Sequence, residues 1–177
     1  MPTTPLPRPA DDEYNPFYAG YIAKVPEGEV LKFLETQLRE VRSLLSTIPE
    51  GRGTHRYADG KWSIKEVIGH VCDAERIFAY RALRIARNDA TPLASFDENL
   101  YVPAGKFDAR TMASLVDEVV QVRDATLSLV RTLDTESGAR RGTASGKSIT
   151  ARALVWIIAG HMAHHTAVLR ERYGVGA

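Results

Sequence analysis

Three of the chain's five histidines fall within five residues, in the stretch GHMAHHTAVLRERY from Gly160 to Tyr173. An α-helix turns about 100° per residue, so His161 and His165 stand one turn apart on nearly one face. That is the spacing of a two-histidine metal clamp. His164 lies about 60° from His161 in the other rotational sense, so a His161/His164 pair is the alternative; the His161/His165 pair diverges less, which leaves His164 as a flanking residue. A third imidazole from a neighbouring helix would complete a three-ligand set with one open coordination position, and His70, on the edge of another apolar stripe, is the candidate. Imidazole suits Zn, Ni, Cu or Fe, so ligand type does not name the metal.

Other groups are weighed against this set. A zinc-protease helix reads His-Glu-x-x-His with the Glu as general base, whereas here the stretch is His161-Met162-Ala163-His164-His165. Cys72, the single cysteine, points about 200° around the helix from His70 and reads as a small buried side chain. Asp73, one turn after His70, is a candidate to orient a ligand ring or to act as a base. Asp97 and its neighbour Glu98 lie in a long connection from which either could reach the open position as a base. Glu75 falls close to an apolar stripe, where it needs an arginine or access to water. His55 sits in a turn-rich loop and reads as solvated.

The elements that must position these residues follow from periodicity. Apolar residues from Glu27 to about Ile48 recur at helical spacing, with Pro26 at the start. Ser63-Ile64-Lys65-Glu66 forms a capping-box pattern, and the stripe from Ile64 through Ile85 carries a second helix to about Arg87. Residues 88–107 hold two prolines and no sustained period, so they read as a long connection. Asp108 can cap a third helix that Gly138 stops, and Thr150 a fourth running to about Tyr173. The segment Leu154 to Ala159 is apolar on all sides and belongs in the interior. Six of nine prolines lie in the first 26 residues. Residues 1–26 therefore read as an extended arm, whose Tyr14, Phe17, Tyr18 and Tyr21 should lie across the body. No strand pattern stands out, and the expectation is an all-α four-helix bundle in one domain, residues 1–177, with the bundle in 27–175.

Composition excludes several function classes. The chain is 44% hydrophobic and 25% charged, with 23 basic against 22 acidic side chains and no basic block. It therefore lacks the electrostatic footprint of a nucleic-acid binder. One cysteine cannot form an intramolecular disulfide, the N-terminus has no signal-peptide pattern, and no apolar run reaches the roughly 18 residues that cross a membrane. The expectation is a cytoplasmic protein.

DGKWSIKEVIGHVCDAE, TPLASFDENLY and WIIAGHMAHHTAVL, in that order and spacing, resemble the DinB/YfiT-like superfamily of metal-binding four-helix proteins, nearest its YfiT-like branch. On matching positions the family's histidine triad falls on His70, His161 and His165. The resemblance implies an unusual helix order with a long crossover, a divalent metal (Zn or Ni), frequent homodimers and a small-molecule substrate. It points first to a metal-dependent thiol S-transferase that joins a bacillithiol-like thiol to an electrophile. The alternatives are a metal-dependent hydrolase using metal-bound water and a non-enzymatic metal-binding bundle.

Overall fold

The computed structural model describes residues 6–176; the first five residues of the expected arm and Ala177 lie outside them. Its elements are α1 (Ala19–Ile22), α2 (Val30–Ser46), α3 (Ile64–Ala86), α4 (Glu98–Gly105), α5 (Met112–Val130), α6 (Thr135–Ala139), β1 (Arg141–Ala144), β2 (Lys147–Thr150) and α7 (Ala151–Tyr173). The long helices α2, α3, α5 and α7 form a four-helix bundle. α3 packs against α5 and α7, and α2 packs against the same two. Going round the bundle the order is therefore α2, α5, α3, α7, so α2 to α3 and α5 to α7 are diagonal crossings. α3 and α7, which carry the histidines of interest, are neighbours.

Local chemistry sets the helix starts. The Ser63 hydroxyl accepts from the Glu66 amide at 3.0 Å, and the Glu66 carboxylate accepts from the Ser63 amide at 2.8 Å. This is the reciprocal box expected at the start of α3, and it satisfies two donors that the first turn would otherwise leave open. Thr150 caps α7 through the Ala153 amide. The segment Leu154 to Ala159 is at most 2% exposed throughout, as its all-round apolarity requires.

Four expectations about the helices and their connections are corrected. Asp108 does not cap the third long helix; Thr111 does. Asp108 instead sits in a 3-10 turn, Phe107–Ala109, and accepts from the Ser63 hydroxyl at 2.5 Å. α5 ends at Val130 rather than near Gly138, since the Thr132 hydroxyl takes the Leu129 carbonyl and Asp134 caps the separate short helix α6. The long connection also contains α4, capped by Asp97. Finally, residues 141–150 form an antiparallel hairpin that pairs Ala144 with Lys147 and Arg141 with Thr150. Its two-residue turn has Ser145 and Gly146 both at positive φ, 51° and 71°, the pattern whose twist suits a tight hairpin. Leu93 joins this hairpin through its amide to Thr143 O at 2.8 Å and its carbonyl to Ser145 N at 3.0 Å.

Within the described residues the N-terminal arm is not extended throughout. It winds through two 3-10 turns, Asp11–Glu13 and Pro16–Tyr18, into α1. Asn15 caps the second by accepting from the Phe17 amide at 2.9 Å, and a proline ring pre-sets the helical φ of a first position. The arm lies on its own chain. The Trp156 indole donates to Leu6 O at 3.2 Å. Glu13 accepts from the Thr150 hydroxyl at 2.8 Å and from Arg152 Nε at 2.7 Å. Tyr14 is buried, Tyr18 and Tyr21 are half-buried, and Phe17 is exposed.

Candidate metal centre

α3 contributes His70 and α7 contributes His161 and His165, and the structure brings all three together: one donor atom from each lies within 4.8 Å of the others. His161 Nε2 stands 3.1 Å from both His70 Nε2 and His165 Nε2. Two nitrogens each 2.0–2.1 Å from a common ion at the tetrahedral angle would be about 3.3 Å apart, so the spacing fits convergence on one divalent ion. The rings are held from outside. Trp62 packs on His70 at 4.8 Å between ring centres, and Tyr21 and Phe78 stand edge-on to His161 at 5.3 and 5.8 Å.

Burial makes the set chemically suitable. His70 and His161 are buried and His165 half-buried. Burial pushes the His70 and His165 pKa values down to about 4 and about 3, and that of His161 well below its ordinary value. The imidazoles are therefore neutral at physiological pH, the state that ligates. His165 Nδ1 is buried with no hydrogen-bond partner among the described residues. The donor set, three neutral imidazoles on two rigid helices, fits a divalent cation.

A deeper network holds α3 and α7 in register. Glu75 does meet an arginine: Arg123 of α5 donates from Nε and Nη2 to its two oxygens at 2.7 and 2.8 Å. Arg123 Nη1 donates to Gln37 Oε1 of α2 at 2.8 Å, and Gln37 Nε2 donates to Ala159 O, two residues before His161, at 2.9 Å. Gly160 lies so close to the arm that a Cβ there would come 2.0 Å from Tyr21 O.

Two cavities flank the three histidines. One, of about 270 Å³, is lined by His70 and His161 with Tyr18, Phe78, Arg81 and Glu98 among its walls. The other, of about 300 Å³, is lined by His165 and His164 with Tyr57, Lys61, Trp62 and Asn99. His164 is thus half-buried beside the cluster, its ring 5.3 Å from that of Tyr21. His55 is exposed.

The two acids proposed as bases lie elsewhere. Asp73 has turned toward α5: its nearest cation is Arg76 at 3.6 Å, with Glu118 and Arg110 also facing it, and burial raises its pKa. Among the described residues it makes no hydrogen bond to a histidine ring. Three residues after His70 it is rotated some 60° away, toward the neighbouring helix rather than the cluster. Asp97 is exposed and spends its carboxylate on the Asn99 amide at 2.9 Å. Its neighbour Glu98 is the acid that reaches the aromatic cavity. Cys72 is buried and burial drives its thiol pKa far up, so it is inert.

Sequence reasoning missed Arg81, Gln37 and Arg123. Arg81 had a usable signal: eleven residues after His70 it returns to within about 20° of the same helix face. The profile of the DinB superfamily matches residues 34–169. The chain belongs to the DinB superfamily. Among solved structures it is similar to YfiT from Bacillus subtilis, a probable metal-dependent hydrolase with an unusual four-helix bundle topology. That match has 17% identity and a TM-score of 0.67 over 95% of this chain and 94% of that one. It is also similar to the mycothiol-dependent maleylpyruvate isomerase, at 15% identity and a TM-score of 0.68 over 88% of this chain and 64% of that one. No curated protein matches. At these identities the likeness shows the shared DinB bundle fold.

Proposed function

We propose that this DinB-superfamily protein is a metal-dependent thiol S-transferase acting on a small electrophile, with His70, His161 and His165 as the ligands of a Zn or Ni ion. The observation that carries the reading is the pair of cavities on either side of the trio. A two-substrate reaction needs two places that meet at one centre. A divalent ion held by the three histidines would supply a Lewis-acid position that lowers the pKa of a thiol well below its usual value of about 8.5. The aromatic cavity, with Tyr18 and Phe78, excludes water around the electrophile. The polar cavity, with Tyr57, Lys61 and Asn99, takes the body of a bacillithiol-like cosubstrate. Glu98 is placed to receive the thiol proton at its carboxylate. Likeness to an isomerase that depends on mycothiol supports a thiol as the second substrate.

Glu98 also favours a second reading, a metal-dependent hydrolase, because a carboxylate beside His70 can accept a proton from water as well as from a thiol; likeness to YfiT supports this alternative. One assay separates them. Metal-loaded protein is incubated with electrophiles and with esters, with and without biological thiols, against apo-protein and His165→Ala. Thiol conjugates above background support the transferase. Ester cleavage without thiol, and no conjugate, overturns it in favour of the hydrolase. No turnover with retained metal leaves a metal-binding bundle and refutes both enzymatic readings.

A further inference from the structure

Among the described residues the buried charges follow a rule with one exception. Glu13 is paired with Arg152, Lys65 with Glu50, and Glu75 with Arg123. Arg81 is only 2% exposed, yet among the described residues no carboxylate lies within ion-pair distance of it. A guanidinium removed from water without a counter-charge is costly. Its Nη2 donates to Ala94 O at 2.5 Å and Ser145 Oγ at 3.2 Å, which ties down the loop after α3 and the hairpin turn. That tether uses two of the five N–H donors, and the Tyr18 hydroxyl also engages the guanidinium, which leaves the remaining donors for a ligand. The guanidinium lies over the Phe96 ring at 5.7 Å, and Arg81 lines the same cavity as His70 and His161. Glu98 lines the same cavity but makes no ion pair with it among the described residues.

We propose that Arg81 is the anion-binding end of the substrate site, and that the cavity takes a small electrophile bearing a carboxylate on an apolar or aromatic body. The carboxylate pairs with Arg81 while the reacting end lies at the histidine trio; this placement rests on the reading of the trio as the reaction centre, whereas the binding itself does not. A planar guanidinium with free N–H groups matches the two oxygens of a carboxylate, and the bond is stronger for being charge-assisted and shielded from water. Eleven residues at 1.5 Å each separate Arg81 from His70 by about 16 Å along α3. A cavity of about 270 Å³ between them suits a body the size of one aromatic ring with a short extension.

The test uses benzoate and its uncharged counterpart benzamide as probes of the full chain, metal-loaded and metal-free, by titration calorimetry. Benzoate should bind at least tenfold more tightly than benzamide with or without metal. Arg81→Gln should abolish that preference, Arg81→Lys should retain part of it, and His165→Ala should leave it unchanged. In wild-type protein the Arg81 side-chain Nε–H resonance should shift with benzoate and not with benzamide, which decides the matter even if the substitutions impair folding. Equal binding of the two probes, a preference that survives Arg81→Gln, or one lost in His165→Ala or on metal removal overturns the proposal. Since benzoate binding is read without turnover, failure of the transferase reading leaves this result standing, and the reverse.

Discussion

Replacing Arg123 by methionine should cost more stability than any surface change in the molecule. Arg123 is wholly buried, and it supplies both hydrogen bonds to Glu75 together with those to Gln37 Oε1 and Leu34 O. Methionine fills much of the volume but leaves the Glu75 carboxylate in the core at 3% exposure with no cation. Removing one partner of a buried pair costs about 3–5 kcal/mol, mostly the penalty of the stranded charge. At roughly 2–4 °C per kcal/mol for a domain of this size, the melting temperature should fall by about 6–20 °C. Glu75→Leu alone should fall by a comparable amount. The double variant strands no charge; Gln37 Oε1 and Leu34 O lose the Arg123 donor, at about 1–3 kcal/mol for the buried amide oxygen, so it should be more stable than either single variant. Urea unfolding followed by far-ultraviolet circular dichroism measures all three. A loss below about 1 kcal/mol for Arg123→Met, or a double variant as unstable as the sum of the singles, would refute the reasoning.

The remaining expectations are more local. His70→Ala, His161→Ala and His165→Ala should each lose the bound ion, measured by elemental analysis of purified protein, and His164→Ala should retain it; any of the first three with unchanged stoichiometry leaves the ligand set. Burial raises the Glu13 pKa, but Arg152, the Ala10 amide and Thr150 together bring it from 4.5 down to about 2. Its ionised form therefore contributes stability fully above about pH 4.5, roughly 3 kcal/mol that disappears as pH falls toward 2. Glu13→Gln should flatten the stability profile across that window, and an unchanged profile counts against the tie. Gly160→Ala drives a methyl into Tyr21 O and should cost at least ~1–3 kcal/mol with faster proteolysis of the arm, while Gly51→Ala, which meets nothing, should behave as wild type. A homodimer is proposed through the open groove between α3 and α5, where Tyr80 and Leu83 are exposed. Light scattering should give about twice the chain mass, and a constant 19.6 kDa excludes it.

Legibility from sequence tracked the range of the interactions. Helical periodicity and one reciprocal cap sufficed for α3, because Ser63 and Glu66 solve a problem three residues apart. The convergence of His70 on His161 and His165 could be anticipated because the latter pair is one turn apart. The hairpin was obscured by strands of four residues each, too short for alternation to show, although Ser145-Gly146 was a turn signal in plain view. Asp108 has the right residue type for a cap, and only its partner Ser63, 45 positions away, shows why Thr111 takes that role. Arg81 was beyond reach in a different way. Its position on the His70 face is visible in the numbering, but the absence of a counter-charge is a property of everything packed around it.

Much of the cavity wall comes from elements that carry no ligand, and this has a consequence for how the site tolerates change. The trio sits on α3 and α7, whose register is set by Glu75, Arg123 and Gln37 in the core. The aromatic cavity's walls come partly from α3 itself, through Ala74, Phe78 and Arg81, and otherwise from the arm, α4, the loop after α3 and the hairpin turn. Arg81 ties the last two down, and Glu13 secures the arm. Substitutions in the walls outside α3 can therefore alter which electrophile fits without disturbing the ligands. The arm is the exception. Its Tyr21 covers His161 and its backbone abuts Gly160, so displacing the arm opens the trio to water. A variant with a loosened arm, such as Glu13→Gln, should retain the ion yet lose thiol transfer relative to thiol-independent hydrolysis. If transfer and hydrolysis fell together, the arm would be only a stabilising strap.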